Sequence, residues 1–330
     1  MFGRERSAAV TMATSAAAPS SGPLWPLLVV YPLSTIFFWT CYLYAIAPLS
    51  RRFLPQRYSA FNELNERCWR QNVLSGLHTC LSASCLLGAL VCDGSLAFGD
   101  ARLYPHDSFL LYLDISMSLG YFSFSLPMSI RMAKAGFPYG SRTMVVHHTL
   151  VVIAQTTFLL TRYPSGFMAA SGFLFELTNL VFVPHLILLQ LDAAPTARAL
   201  LGLALVVVYT LARCFACTAL AMLSLFDLSR FEPPSPAGWL FVFLGLGSFY
   251  GLLLISWYWY VSSILPSLHV GLQQSFGETY HHACCPRPLR RLLWRRLTRE
   301  GRASASEERL RFKALQELRC EMEATEDLPG

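Results

Sequence analysis

The hydrophobic positions of this chain fall into seven long, continuous runs separated by short polar segments. Each run is near the roughly 20 residues that an α-helix needs to cross the apolar core of a bilayer. The runs do not alternate apolar and polar residues as the strands of a membrane β-barrel do. We therefore predict an all-α, polytopic membrane protein with spans at residues 24–47, 73–97, 108–130, 144–161, 167–191, 199–226 and 238–265.

The composition supports the same class of protein. Of the 330 residues, 54% are hydrophobic and only 14% are charged, whereas a soluble domain carries about 25% charged residues. Most of the ten cysteines lie inside the apolar runs, where they serve as small buried hydrophobic residues rather than as a disulfide framework. The net charge of +6 comes from basic residues that flank these runs, which indicates membrane topology and not nucleic-acid binding.

Basic residues alternate from one loop to the next. Arginines and lysines follow the first, third and seventh runs, whereas the loops after the second and sixth runs carry acidic residues such as Asp100 and Glu232. The positive-inside rule then places the N-terminus outside the cytosol and the C-terminal tail in the cytosol. We expect the membrane of the endoplasmic reticulum, with the plasma membrane as the alternative.

The two ends of the chain differ in composition from its middle. Residues 1–23 are rich in Ala, Ser and Pro, which predicts a disordered leader. The first transmembrane helix and a basic loop occupy 24–56, the other six spans occupy 57–268, and a basic cytosolic tail occupies 269–330. Apolar residues at helical spacing within 304–326 predict an amphipathic helix in this tail, and such a helix could bind a protein partner.

The tail also contains the sequence His281-His-Ala-Cys-Cys285. Four ligands packed into five residues cannot readily surround one tetrahedral ion, so we predict no metal at this position. The alternative for Cys284 and Cys285 is a pair of palmitoylated cysteines in an interfacial segment.

Five of the spans each carry a row of polar residues on one face. Ionisable side chains are costly inside a membrane and usually mark functional sites. Residues three, four and seven positions apart share a helix face, so these rows predict helices that surround a polar interior. The rows contain His78 in the second span, Asp114 and Tyr121 in the third, His148 and Gln155 in the fourth, Glu176 and Asn179 in the fifth, and Arg213 in the sixth.

The candidate centre lies on the fourth and fifth spans, which a tight polar break joins. We expect these spans to form an antiparallel hairpin, in which counting outward from the turn at about 1.5 Å per residue puts His148 level with Asn179 and about one turn from Glu176. An imidazole, an amide and a carboxylate would then converge. The neighbouring His147 is rotated by about 100° around the helix, so His148 is the preferred member of the pair.

Two structural alternatives remain open for these polar residues. Arg213 would neutralise Glu176 or Asp114 in a buried ion pair, which carries no catalytic meaning. His78 would be a hydrogen-bonded packing residue. A metal centre is not predicted, because the histidine spacings that place two ligands on one helix face are absent.

Residues 57–265 resemble the TLC-domain family, which includes the ceramide synthases and the TRAM-like and ceroid-lipofuscinosis membrane proteins. This resemblance implies a six-helix ring around a lipid-binding chamber, here with one additional N-terminal transmembrane helix. The segments that carry it, in order, are Phe61-Asn-Glu-Leu-Asn65, Ser75-Gly-Leu-His78, Gly120-Tyr-Phe122, His147-His148 and Glu176-Leu-Thr-Asn179.

In the ceramide synthases, paired histidines and two downstream aspartates carry acyl transfer from acyl-CoA to a long-chain base. The resemblance implies that His147 and His148 match the histidine pair, and that Glu176 and Asn179 fall near the aspartate positions. The second acid is an amide here, and the longer ceramide-synthase signature after the histidines is missing. The chain therefore resembles the branch of the family that lies outside the ceramide synthases.

Two functions in lipid metabolism or lipid homeostasis follow from these observations. In the first, His148 acts as a general base or transient acyl acceptor, Glu176 orients its imidazole, and Asn179 or Arg213 holds an oxyanion or headgroup. Acyl-CoA would then be a substrate, and no bound cofactor is expected. In the second, the protein binds a phospholipid or sterol without catalysis and acts in membrane composition or trafficking. Membrane lipids are the expected partners in both cases.

Overall fold

The structure, a computed structural model, describes most of the membrane-embedded part of the chain. The chain divides into two units, Met1–Leu265 and Pro266–Gly330. The second unit, with the predicted tail helix and the Cys284–Cys285 pair, lies outside the described residues, as does the leader. The described ranges are 25–92, 107–134, 141–163, 165–229, 231–232 and 236–265.

Seven helices in these ranges are long and apolar enough to cross a membrane. They correspond one to one to the seven predicted spans, so the chain is an integral, multi-pass, all-α membrane protein. A short helix, Pro55–Ser59, follows the first of them. The spanning helices are α1 (Pro26–Phe53), α2 (Glu63–Cys92), α3 (Phe109–Lys134), α4 (Ser141–Thr161), α5 (Ser165–Gln190), α6 (Pro195–Val208, π-helical Tyr209–Ala216 and Cys217–Leu228) and α7 (Pro236–Trp259 and π-helical Tyr260–Ile264).

Helix α2 begins at Glu63, ten residues before the predicted start at residue 73. The additional turns are polar, so hydropathy alone does not include them. Two salt bridges between residues four positions apart, Glu63–Arg67 and Glu66–Arg70, stabilise them. The helix therefore continues beyond the apolar run that predicted it.

Six of the helices form a closed ring. Around it, α2 contacts α3, α3 contacts α4, α4 contacts α7, α7 contacts α6, α6 contacts α5, and α5 contacts α2. Helix α1 lies outside the ring, where it packs on α3 and also contacts α2. The predicted arrangement of six ring helices and one additional N-terminal helix is thus confirmed.

Helix α1 approaches α3 closely at Gly120. A Cβ atom at this position would collide with Ser34 Oγ and lie 2.8 Å from the backbone nitrogen of Thr35. Ser34 Oγ also donates a hydrogen bond to the carbonyl oxygen of Ser116, at 3.4 Å. Small residues and interhelical hydrogen bonds are the usual means of association between membrane helices. Gly120 therefore positions α1 against the ring.

A polar cluster joins α1 to α2 at the predicted cytosolic side. Tyr58 Oη donates to Glu66 Oε1 at 2.6 Å, and Glu66 also pairs with Arg70. Trp69 Nε1 donates to Ser50 Oγ at 2.8 Å. Tyr58 lies outside the spanning segments, and burial together with its hydrogen bond to Glu66 raises the pKa of its hydroxyl group. These contacts fix the loop between the two helices.

The turn between α4 and α5 is fixed at the opposite side. Arg162 has a φ of 64°, in the left-handed region, and its backbone nitrogen donates to the carbonyl oxygen of Phe158 at 2.5 Å. Its guanidinium pairs with Asp107 at 2.7 Å and lies 5.5 Å from the centre of the Tyr112 ring. The turn is thereby attached to the start of α3.

Candidate functional site

Ionisable side chains of four ring helices face a common interior. Glu176 on α5 interacts electrostatically with Asp114 and Tyr121 on α3, and His148 on α4 interacts with His78 on α2. Neither pair of helices is adjacent in the ring, so both interactions cross its interior. All five side chains are buried. The polar rows predicted from helical spacing therefore face one another.

His78 belongs to a hydrogen-bonded cluster between α2 and α3. Its Nε2 lies 2.9 Å from Ser118 Oγ, which donates to Asp114 Oδ1 at 3.4 Å. Ser82 provides a second hydrogen bond to Asp114. The imidazole stacks on the Tyr121 ring, with centroids 4.2 Å apart and an interplanar angle of 11°. These contacts support the packing role for His78 and give Asp114 hydroxyl partners.

His148 is held by α3. Its Nδ1 lies 3.0 Å from Ser129 Oγ and 3.5 Å from Ser125 Oγ, and its ring packs edge-on against Phe122 at 5.2 Å. The imidazole also hydrogen-bonds to the backbone of Ser125, and no side-chain partner of its Nε2 is found among the described residues. One nitrogen of this imidazole is thus oriented by hydroxyl groups while the other stays available.

The expected hairpin of the fourth and fifth spans does not form a packed pair. Helices α4 and α5 diverge from their turn: α4 packs between α3 and α7, and α5 packs between α2 and α6. The tight turn fixes only how the two helices begin, whereas packing in the ring decides their neighbours.

As a result, Glu176 is not hydrogen-bonded to His148 in the described structure. Its Oε2 instead accepts a hydrogen bond from Asn179 Nδ2 at 3.2 Å. The orientation of His148, expected from Glu176, comes from the serines of α3.

The other histidine of the pair points toward α7. The ring centroid of His147 lies 5.3 Å from that of Trp259 and 5.6 Å from that of His148. Among the described residues, His147 Nδ1 is buried without a hydrogen-bond partner, and so is Gln155 Oε1 on the same helix. The two histidines therefore have different surroundings, in agreement with the rotation between adjacent helix positions.

Arg213 lies in the π-helical segment of α6 and contacts α5. Its Nε donates to Thr178 Oγ1 at 2.5 Å, and its Nη2 donates to the carbonyl oxygen of Phe175 at 3.0 Å and to Asn179 Oδ1 at 2.9 Å. The guanidinium carbon lies 4.9 Å from the centre of the Phe175 ring and 5.3 Å from that of Tyr209. These three hydrogen bonds, a further one to the Tyr209 hydroxyl group and the two aromatic faces thus fix the cation.

The buried ion pair considered for Arg213 is not formed with either acid in the described ranges. Asn179 instead bridges Arg213 and Glu176, because its carbonyl oxygen accepts from the guanidinium and its amide nitrogen donates to the carboxylate. The amide that departs from the expected second acid therefore has a specific partner on each side.

Several residues of the site, among them Ser129 and Thr178, were not among the predicted site residues. Ser129 continues the row on α3 four positions after Ser125, so helical spacing could have identified it. Thr178 lies inside the Glu176–Asn179 motif, but no sequence pattern shows that its hydroxyl group faces α6. Within the described residues, no group of three or more His, Cys, Asp or Glu side chains could hold a metal ion.

Comparison with known proteins gives one match. A family model described as the TLC domain matches residues 68–264, a range that contains all the site residues above. Searches of curated proteins and of solved structures find no match.

Proposed function

The chain belongs to the TLC domain family of membrane proteins, and on this basis we propose that it transfers an acyl group to a membrane lipid through His148. The observation that carries the proposal is the contrast between the two nitrogens of this imidazole. Nδ1 is held by Ser129 and Ser125, whereas Nε2 has no side-chain partner among the described residues. In the tautomer in which Nδ1 donates to a serine hydroxyl, Nε2 carries a lone pair.

This lone pair supports either covalent or general-base chemistry. In the covalent route, Nε2 attacks the thioester carbonyl of an acyl-CoA, a bond from nitrogen to carbon forms, the carbon–sulfur bond breaks, and CoA leaves as a thiolate. A hydroxyl or amino group of the acceptor lipid then attacks the acyl-imidazole, the carbon–nitrogen bond breaks, and the acceptor's proton passes through the imidazole to the thiolate. In the general-base route, Nε2 takes the acceptor's proton during direct attack on the thioester.

The surroundings of His148 favour the covalent route. The residue is only 5% exposed, and Phe122 packs against its ring. Apolar walls exclude water, which would otherwise hydrolyse an acyl-imidazole. The basic residues Arg131 and Lys134 end α3 on the same side of the membrane as Arg142, which precedes His148 by about two helical turns. Their charges could hold the phosphates of CoA.

The proposal is tested with purified protein in phosphatidylcholine nanodiscs that receive oleoyl-CoA and a membrane lipid extract as acceptor. The measurements are release of the CoA thiol and mass spectrometry of the peptide that contains His147 and His148 after an acid quench. We expect thiol release and an oleoyl adduct in wild type, and loss of both in His148→Ala. His185→Ala is the matched control, because this half-buried histidine lies against Gly202, away from the site. Equal thiol release by His148→Ala would refute the proposal.

A second candidate function is lipid binding without catalysis. The observation that favours it is the engagement of Glu176 with Asn179, which leaves His148 without a carboxylate partner in the described structure. Histidine bases in enzymes are commonly oriented by such a carboxylate. The same preparations distinguish the two functions: no thiol release by wild type, together with loss of co-purifying lipid in His148→Ala, would support binding alone.

A further inference from the structure

Arg213 is a buried charge near the middle of the membrane. It is 4% exposed and lies about halfway along the span Thr196–Leu228. An ionised side chain at this depth is expensive unless its hydrogen-bond donors are satisfied, and such residues usually face a protein interior and serve a function. Its role therefore depends on which donors of the guanidinium already have hydrogen-bond partners within the protein.

Most hydrogen-bond donors of the guanidinium have partners within the protein. Nε and Nη2 are taken up by Thr178, Phe175 and Asn179 on α5. The Tyr209 hydroxyl group is also hydrogen-bonded to the guanidinium, so four of its five N–H groups have partners in the part of the chain that the structure describes. One N–H group, on Nη1, thus remains available to a ligand.

The charge of Arg213 also acts on residues beyond its hydrogen-bond partners. Arg213 interacts electrostatically with His147 on α4, although α4 and α6 are not neighbours in the ring. Its contacts to α5 and to the Tyr209 ring fill the other sides of the guanidinium. The cation therefore contacts α5 and also lies within electrostatic range of α4.

The local backbone also departs from a regular α-helix. Residues Tyr209–Ala216 form a π-helix in the middle of α6, the longest of the four π-helical segments in the described residues, and such segments frequently occur at functional sites. Arg213 is the basic residue of this segment. The wider winding changes the angular spacing of the side chains within this segment relative to a regular α-helix.

We propose that Nη1 of Arg213 binds the oxyanion of a membrane lipid whose hydrocarbon chain lies inside the ring. A guanidinium is matched to carboxylates and phosphates, and the depth of the site together with the faces of Phe175 and Tyr209 requires an anion attached to an apolar chain. Carboxylate and phosphate share this chemistry. The site is separate from the histidine chemistry and does not depend on acyl transfer.

The test uses the full-length protein in phosphatidylcholine nanodiscs and three probes with the same chain: oleate, oleoyl lysophosphatidate and uncharged oleyl alcohol. Binding is measured for wild type, Arg213→Gln, His148→Ala and Arg198→Gln. Arg198 is the matched control, because it lies on the same helix but pairs with Asp192 at the surface, at 3.1 Å. A hydrogen bond to a charged group contributes about 1.5–3 kcal/mol, which corresponds to an affinity ratio of roughly 10 to 100.

We expect wild type, His148→Ala and Arg198→Gln to bind at least one anionic probe about tenfold or more tightly than the alcohol, and Arg213→Gln to lose this preference. Whichever of oleate and lysophosphatidate binds more tightly identifies the oxyanion. Equal binding of all three probes to wild type, or an unchanged preference in Arg213→Gln, would overturn the proposal. Loss of the preference in His148→Ala would overturn the separation of the two sites.

A measurement on wild type alone covers the case in which Arg213→Gln does not fold. An oleate analogue with a diazirine beside its carboxylate is cross-linked to the protein, and the labelled peptide is identified by mass spectrometry. Labelling of the segments that contain Arg213 or Phe175, competed by oleate, is the expected result. Labelling confined to lipid-facing residues such as Leu211 and Phe215 would overturn the proposal.

Discussion

Asn179 accepts a hydrogen bond from Arg213 over a distance of 2.9 Å and thereby joins α5 to α6. The same amide donates to Glu176, so a cation and a carboxylate share one neutral bridge inside the membrane. An aspartate at this position would accept from the guanidinium but could not donate to Glu176. The amide is therefore suited to this pair of neighbours.

Replacing Asn179 with alanine should destabilise the protein. The change leaves one donor of Arg213 and one acceptor of Glu176 without a partner, which costs about 1–3 kcal/mol. Thermal unfolding in detergent measures the effect, and Asn65→Ala, at an exposed position of α2, is the control. Equal melting temperatures for the two variants would contradict the bridge.

Gly120→Ala should weaken the attachment of α1. The new methyl group would meet Ser34 and the backbone of Thr35, and overpacking of this kind costs about 1–3 kcal/mol. Gly247→Ala is a matched control, because a Cβ there has no neighbour within 4 Å among the contacts described. A helical glycine replaced without strain usually gains about 0.4–1 kcal/mol. The two substitutions should thus shift the unfolding temperature in opposite directions, and a shift in the same direction would argue against close packing at Gly120.

Ser129→Ala should slow the proposed acyl transfer without weakening substrate binding. The hydroxyl group lies 3.0 Å from Nδ1 of His148 and orients the imidazole. Removing one such hydrogen bond costs about 0.5–1.5 kcal/mol, and if this raises the barrier of the reaction, kcat falls about two- to tenfold. KM for oleoyl-CoA should stay unchanged. Ser84→Ala removes only a bond to the carbonyl oxygen of Cys80 within its own helix and serves as the control. A raised KM at constant kcat would assign Ser129 to binding instead.

Neutralising Arg131 and Lys134 together should have the opposite kinetic effect. Both are exposed at the predicted cytosolic end of α3, where they would attract the phosphates of CoA. We expect KM for oleoyl-CoA to rise about three- to tenfold at low salt, with a smaller difference at high salt because ions screen exposed charges. Arg57→Gln, on the same side but before α2, is the control. A KM that does not depend on salt in wild type would exclude this role.

The apolar runs predicted the number and approximate positions of the spanning helices, because a bilayer imposes both length and hydrophobicity on each one. Helical spacing predicted which polar residues share a face, and His78 and Asp114 each interact electrostatically with Glu176 on another helix. Both successes depend on properties of a single helix.

The order of helices in the ring was not predictable in the same way. His148 and Glu176 were expected to converge because a tight turn joins their helices, yet α4 packs with α3 and α7. Neighbours are decided by the shapes of whole helix faces, such as Gly251 against Leu150. The π-helical winding of Tyr209–Ala216 was equally unpredictable, because no spacing of its residues indicates it. Contacts between helices therefore required the structure.

Helix α3 serves two tasks at once: its outer side receives α1 at Gly120, and its inner side holds the imidazole of His148 through Ser125 and Ser129. A displacement of α1 would therefore shift α3 as well, and with it the imidazole of His148, whose Nε2 is the atom proposed to do the chemistry.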